Sequence, residues 1–511
     1  MRTVTRKAIL LAAAMALLTP APPARAGEGK PAGSLRIGIG VIPSNPDPAF
    51  DTTSNSMFAY NQMFDALAVA DERGNMKPAL ATSWKVLDDK VTWQFKLRPG
   101  VKFHNGEEFD AATVKFNIER IGDPKVKSNW FARVAQVARV DVVDRHTVNV
   151  VTKRPWGILL KDLLVVYMVP PKYYQQVGLD GFSRAPVGTG PFKFKAYDKL
   201  SHITYAAAEN SWRGAPKVAE VVFRRLPEAA TRVAGLESGE IDAVVDVPVE
   251  DVDRLKAKGL QFTGVNIAGP NILILRTTVD SPLKDKRVRQ AMNHAVDKDA
   301  IVKHILRGYG RVLDGQLVGP DGYGYNPALK PYPHDPERAK KLLADAGHPN
   351  GFEIKFDGTE GRYPKDKEFE EAIVAQMAKV GIRLNLQIVD ANVFIKNYVN
   401  GILGPVFVLA QQYLPSMDLN QGLPNYRSAA SHKQLASREF DALYEAQAGE
   451  LDPEKRLKLL HQLAAWFHEE APVVFLHQFQ SVFGTHPSVK GFEPMANYSA
   501  DLSRVSLEGK R

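Results

Sequence analysis

The sequence predicts a mixed α/β fold in two or three lobes, on three observations. First, 511 residues are too many to share one compact core. Second, the early part of the chain alternates apolar and polar residues and carries hairpin turns. Third, the later part is built of amphipathic helices, each closed by Gly and followed by a short apolar run. With 44 % hydrophobic residues, Gly 38 and Pro 34, collagen-like and disordered chains are excluded. With Cys 0, disulfides, thiolate metal sites and cysteine nucleophiles are excluded together.

Residues 34–42 read as a strand that ends in a Pro/Asn/Asp-rich loop, and 54–68 have helical spacing through Met57, Phe58, Phe64 and Leu67. Residues 91–97 alternate as a half-buried strand, and Asp110 caps a helix through Arg120. Residues 140–143 and 147–151 flank a turn at Asp144-Arg145-His146, which gives a hairpin. Strands are expected at 193–208 and 218–226, a helix at 228–238 closed by Gly239, and a buried strand at 241–245. Farther on, a long helix over 285–307 stops at Gly308, and Asp335-Pro336 opens another that Gly347 ends. A strand at 353–356, a helix at 367–380, a strand at 383–389, a helix opened by Asp452-Pro453 and a buried strand at 473–476 complete the pattern.

The first residues read as an export leader. Arg2, Arg6 and Lys7 precede an apolar run from Ala8 to Leu18, and Ala24-Arg25-Ala26 offers small residues where a signal peptidase cuts. The run is too short to span a bilayer, which takes about 20 residues. Arg6 is followed by Lys7, so there is no twin arginine, and there is no cysteine to carry a lipid. Cleavage after Ala26 into a Gram-negative periplasm, without lipid, is the expectation. Loss of Arg2, Arg6, Lys7 and Arg25 lowers Lys+Arg from 66 to 62 against 57 acids, an excess of +5 rather than +9. Charges alternate in sign along the chain and no basic stripe interleaves with aromatics, so no nucleic-acid partner is expected.

Catalytic motifs are missing. There is no G-x-S-x-G, no H-E-x-x-H and no phosphate-binding glycine loop. His468-Glu469-Glu470 lacks a second histidine, Gly308-Tyr309-Gly310 follows a helix, and Thr189 has no base nearby. The acids Asp246, Glu250, Asp251 and Asp253 lack a calcium loop's glycine and spacing and read as a solvated face. No catalytic residue, metal site or cofactor is expected. A secreted hydrolase is the rival from another class, and it has no constellation to stand on.

Several blocks then carry a resemblance. Residues 77–84 and 93–106, with Trp84, Trp93, Pro99-Gly100 and Asn105-Gly106, resemble the signature of the peptide/nickel/opine-type solute-binding proteins of ABC importers, family 5. Residues 186–192, 210–214, 236–243, 285–295, 335–347 and 361–381 resemble its later blocks in family order. The resemblance implies a two-lobed clamp of the class II periplasmic type with an additional inserted domain. One lobe would comprise 34–77, 187–276 and 476–511, the inserted domain 78–186, and the other lobe 277–475. It implies a monomeric receptor with no catalytic activity, closing on a small-molecule or short-peptide ligand and delivering it to permease subunits in the inner membrane. Trp84, Trp93, Phe95 and Phe103 are assigned to core rather than pocket.

Pocket residues belong on loops at strand ends facing the cleft. Three segments qualify: 41–45 with Ile42 and Ser44, 266–271 with Asn271, and 409–418. In peptide-binding relatives the third segment resembles Gly-Trp-x-x-Asp, whose acid takes the peptide ammonium. Here the Trp and first acid are absent, and Asp418 matches a second acid of the pattern. No histidine occurs between His348 and His432, against the nickel-binding pattern. Arg362 sits where peptide-binding relatives place a carboxylate-binding arginine, and a guanidinium grips an acid with two parallel bonds. Gln411, Gln412 and Tyr413 supply neutral donors, acceptors and an aromatic face. The set suits a polar opine-, conjugate- or oligosaccharide-like solute bearing an acid group; a dipeptide or oligopeptide held through Asp418 is the alternative.

Overall fold

One 12-stranded sheet runs through the molecule and decides where a cleft forms. The computed structural model describes residues 30–509 apart from 268 and 433. The expected leader and its cut after Ala26 lie outside the described residues. The strands of this sheet are numbered in chain order. Those of the first half are β1 (Ser34–Ile39), β2 (Phe192–Asp198), β3 (His202–Ala207), β4 (Glu220–Arg225), β5 (Ala243–Val244) and β6 (Gln261–Asn266). Those of the second are β7 (Asn271–Leu275), β8 (Gly310–Val312), β9 (Phe352–Glu360), β10 (Ile382–Asp390), β11 (Val406–Ala410) and β12 (Val473–Thr485). Their spatial order is β10-β9-β11-β7-β12-β5-β1-β4-β3-β2, with β6 and β8 also paired to β12.

β12 belongs to both halves of the sheet. Its first residues pair with β7 from Val473 to His477, and its last with β6 from Gln480 to Thr485. The link from β6 to β7 makes a second crossing beside it. Parallel pairs flank these crossings on both sides, β9 with β10 and β11, and β1 with β4 and β5. That is the arrangement helix–strand units produce. Asn271–Leu275, assigned from sequence to the first lobe, pairs with β11 and the start of β12 and so lies in the second. A separate four-stranded antiparallel sheet of Ala81–Val86, Thr92–Leu97, Thr147–Thr152 and Val137–Asp144 falls within 78–186. Trp93, Phe95 and Phe103 are buried in the core, while Trp84 is half-buried against it.

Several elements end earlier or run longer than periodicity indicates. The helix expected over 285–307 is Lys286–Ala295, because Val296 turns extended and Asp297 caps a new short helix by accepting from the Ala300 N–H. The strand expected over 193–208 is a hairpin, β2 and β3, folded where the Asp198 carboxylate accepts from the Leu200 N–H. The helix expected over 54–68 closes at Met63, with Phe64 extended. The strand expected at 473–476 is the 13-residue β12. Its polar stretch His477-Gln478-Phe479-Gln480-Ser481 reads as a terminus but is the part that crosses between lobes.

Candidate functional site

A cleft of about 920 Å³ lies between the two halves of the sheet. The crossings supply Ile267 and Gly269, together with Phe479, Gln480, Ser481 and Val482 of β12. One wall is first-lobe: Ser54 and Asn55 at the start of helix Ser54–Met63, Arg232, the loop 246–250 after β5, and Tyr498. The facing wall is Glu360 at the end of β9, the loop 361–365, the first residues of helix Asp366–Ala378, and residues 410–412 at the end of β11. Loops at the carboxyl ends of parallel strands are where α/β sheets bind ligands.

The loop after β9 is built around Asp366. Its buried carboxylate accepts from the backbone N–H groups of Gly361 (3.1 Å), Arg362 (2.8 Å) and Tyr363 (3.1 Å), which folds the loop tightly and fixes where Arg362 starts. Arg362 Nε donates to the Tyr363 hydroxyl at 2.6 Å, and that oxygen also accepts from the Ala410 N–H at 3.0 Å. The guanidinium lies over the rings of Tyr363 (5.2 Å) and Phe394 (5.4 Å), which hold a cation without neutralising it. Arg362 Nη1 is buried and has no hydrogen-bond partner among the described residues. A buried donor left without a partner costs about 1–3 kcal/mol, which an arriving acceptor recovers.

At the end of β11 the backbone meets the crossing: the Gln411 N–H donates to the Pro270 carbonyl at 2.9 Å. Gly269 has φ +126, and a Cβ there would lie 1.9 Å from the Gln411 carbonyl oxygen, so only glycine fits. The Gln411 side chain turns inward, accepting from the Tyr413 hydroxyl at 2.9 Å, whereas Gln412 is exposed in the cleft.

On the opposite wall Asp246 is exposed, with a left-handed backbone at φ 58. Ser481 Oγ donates to its Oδ1 at 2.5 Å; the Tyr498 hydroxyl lies 2.5 Å from its Oδ2 and 2.6 Å from Asn55 Oδ1. Burial, and then the Asp246 charge, push the Tyr498 hydroxyl well above its ordinary pKa, so it stays a donor. Arg232 sits behind the loop. Its Nη1 donates to the carbonyls of Leu226 and Pro227 and its Nη2 to the Asp246 carbonyl.

The structure brings three of the residues named from sequence to the cleft: Arg362, Gln411 and Gln412. The other five are elsewhere. Tyr413 is fully buried in the core, and Ile42 packs in the same cluster. Asn271 is fully buried at the start of β7, with Nδ2 3.2 Å from His477 Nε2. Ser44 is exposed and donates through both its N–H and hydroxyl to Asp51, and it is not among the residues lining the cleft. Asp418 is 1 % exposed and sealed by Arg456, which donates to both carboxylate oxygens at 2.8 and 3.0 Å, and by Lys161 at 2.5 Å. Of the acids after β5, Asp246, Glu250 and Asp253 are solvent-exposed as expected, and two of them, Asp246 and Glu250, also line the cleft. Their position just after a short apolar strand was the available signal, by the strand-end rule applied to the other loops.

Comparison with known proteins follows the same geometry. The family profile "Bacterial extracellular solute-binding proteins, family 5 Middle" matches residues 75–427. Heme-binding protein A of Haemophilus influenzae is 30% identical over 508 residues, covering 91% of this chain and 90% of that protein. Glutathione-binding protein GsiB of Escherichia coli is 30% identical over 365 residues, covering 70% of this chain and 69% of its own. The structure of AgaA in complex with agropinic acid, from A. tumefacien R10, aligns with TM-score 0.77 at 26% identity, over 94% of this chain and 99% of that one.

Proposed function

The chain belongs to family 5 of the bacterial extracellular solute-binding proteins, and from that premise we propose that its cleft captures a small polar solute bearing an acid group, of the opine, amino-acid-conjugate or oligosaccharide kind. The fold is the class II periplasmic clamp, and the protein is a non-enzymatic receptor of an ABC importer. In the proposed cycle the lobes close about the two crossings once solute touches both walls, because a ligand shifts a hinge only by preferring the closed state. The permease then receives the solute.

The observation that carries the reading is Arg362. Arg362 lines the cleft, its guanidinium rests on two rings, and its buried Nη1 has no hydrogen-bond partner among the described residues. An acid group supplies the missing acceptor with a charge-assisted bond. Names among relatives agree with an acid: glutathione for GsiB and agropinic acid for AgaA. Heme-binding protein A points to a different cargo. The residues lining the cleft include no histidine, methionine or cysteine. The peptide alternative through Asp418 loses its anchor, since that carboxylate already serves Arg456 and Lys161.

The test is native mass spectrometry of protein purified without refolding, followed by a thermal-shift screen of opines, glutathione, acidic oligosaccharides and plain di- and tripeptides. A retained or stabilising small acid is the expected result; at a hundredfold excess over Kd the gain is about 2.7 kcal/mol. Strong, general shifts with neutral sugars and none with acids would overturn the acid reading, and strong, general shifts with plain di- and tripeptides would return the peptide alternative.

A further inference from the structure

The wall facing Arg362 carries a carboxylate, Asp246, that no cation bonds directly among the described residues, although the Arg232 charge attracts it from behind the loop. Asp47, Asp242 and Asp418 each have a guanidinium within about 3 Å: Arg120 at 2.7 Å, Arg36 at 2.9 Å and Arg456 at 2.8 Å. Asp246 has no ion-pair partner among the described residues. Arg232, the cation behind its loop, gives its Nη donors to the carbonyls of Leu226, Pro227 and Asp246 itself, and its charge, which neutral carbonyls do not cancel, attracts the Asp246 carboxylate without a direct bond. The carboxylate is instead aimed by two neutral hydroxyls, Ser481 (7 % exposed) and Tyr498 (4 % exposed). Both donors are buried and fixed, while the carboxylate they hold is exposed to the cleft.

The backbone there is also unfavourable for a side chain. A left-handed Asp costs free energy, and such conformations persist where the surroundings enforce them, often at functional sites. In the empty cleft, water solvates the charge. When a solute fills the cleft and the water leaves, a carboxylate without a directly bonded cation becomes costly unless the solute brings a positive group.

We infer that Asp246, positioned by Ser481 and Tyr498, is a subsite for a cationic group of the solute, an ammonium above all. The solute is then a zwitterion whose acid end meets Arg362 on one wall and whose cationic end meets Asp246 on the other. Arg362 and Asp246 stand on opposite walls among other charged residues, so a molecule lacking either end leaves one of these two groups without a bonded partner on closure. This rests on the proposed reading of Arg362 as the acid site.

The experiment uses matched pairs of probes: glutathione, an N-(1-carboxyethyl)alanine opine and trialanine, each beside its N-acetyl form, which keeps the acid and loses the positive charge. Calorimetric titration is run on wild type, Asp246→Asn, Tyr498→Phe and Arg362→Ala, with circular dichroism to confirm folding; Asn tolerates the left-handed backbone. Expected is that at least one zwitterion binds wild type, that its N-acetyl form binds at least tenfold more weakly, and that Asp246→Asn lowers the parent to the level of the N-acetyl form. Tyr498→Phe gives a smaller loss in the same direction and serves as the second route should Asp246→Asn not fold. Equal affinity of parent and N-acetyl forms for wild type, an unchanged preference in Asp246→Asn, or binding by none of the zwitterions overturns the inference. If N-acetyl forms bind as tightly as their parents and Arg362→Ala releases both, the acid site stands and the cation subsite falls. If Arg362→Ala binds like wild type while Asp246→Asn loses the preference, the acid site falls instead.

Discussion

Lys365 Nζ stands 3.1 Å from Glu250 Oε1, and the two residues belong to opposite walls of the cleft. The same ammonium lies 3.2 Å from Glu368 on its own wall, so the cross-cleft bond competes with a local one. Lys365 is 30% and Glu250 41% exposed, which places the pair in the range of surface ion pairs, about 0–1 kcal/mol. It biases closure weakly and leaves the decision to the solute. A double-mutant cycle of Glu250→Gln and Lys365→Met, read as solute affinity, is expected to give a coupling below about 1 kcal/mol that shrinks in high salt. A coupling of several kcal/mol would mean that the clamp closes without its ligand.

Asp418 makes a much stronger link. Burial pushes its carboxyl up, but Arg456 and Lys161 overcome this and hold it well below the usual carboxylate range. A carboxyl lowered by folding stabilises the fold above its unfolded pKa, and the contribution is lost as pH falls from about 4 through the folded value. Asp418→Asn is expected to lower stability by about 3–5 kcal/mol, because two buried cations lose their partner, while a folded variant keeps solute affinity. Urea unfolding at pH 7 with parallel titration checks both. Normal stability with lost affinity would return Asp418 to the cleft.

Glu370 sets a pH dependence of the opposite sign. It is fully buried behind the Arg362 loop, with the Thr359 N–H within 3.1 Å of its carboxyl, and burial raises its pKa to about 9. The folded protein therefore keeps a proton that the unfolded chain loses near pH 4.5, so this contribution to stability falls as pH rises from there to about 9. Glu370→Gln is expected to flatten the profile and gain about 1–3 kcal/mol at pH 8. A wild-type profile already flat over this window, or a variant less stable at pH 8, contradicts the assignment.

What the sequence disclosed follows from which signals are local. Caps and closing glycines are local, and Asp110, Asp335, Gly239 and Asp452 act at the expected helix ends. The neighbours of Arg362 in the chain point to the cleft wall on which it lies. Tyr413 was misplaced because its neighbours point to opposite sides, Gln412 to the cleft and Tyr413 to the core. Asp418 was misplaced because Lys161 and Arg456, which neutralise it, are far away in sequence. Asp246, Ser481 and Tyr498 come from three distant segments, and no spacing rule joins them. The polar residues of β12 masked a strand: His477 and Gln478 are buried and bond Asn271 and the Ile267 carbonyl inside the crossing, while Gln480 and Ser481 line the cleft.

Export is checked outside the folded core. Material recovered from the periplasm is expected to begin at Gly27, by N-terminal sequencing, and to carry no lipid. Recovery only with membranes, with Met1 retained, contradicts this.

The central claim is that Arg362 receives the acid of the solute inside the cleft. Its most direct test is calorimetric titration of wild type, Arg362→Lys and Arg362→Ala with the acid that gives the largest thermal shift, with circular dichroism to confirm folding. The account predicts a loss of about 2–5 kcal/mol in Arg362→Ala, and only partial recovery in Arg362→Lys, whose point charge lacks the two-pronged contact. Wild-type affinity in a folded Arg362→Ala would contradict it.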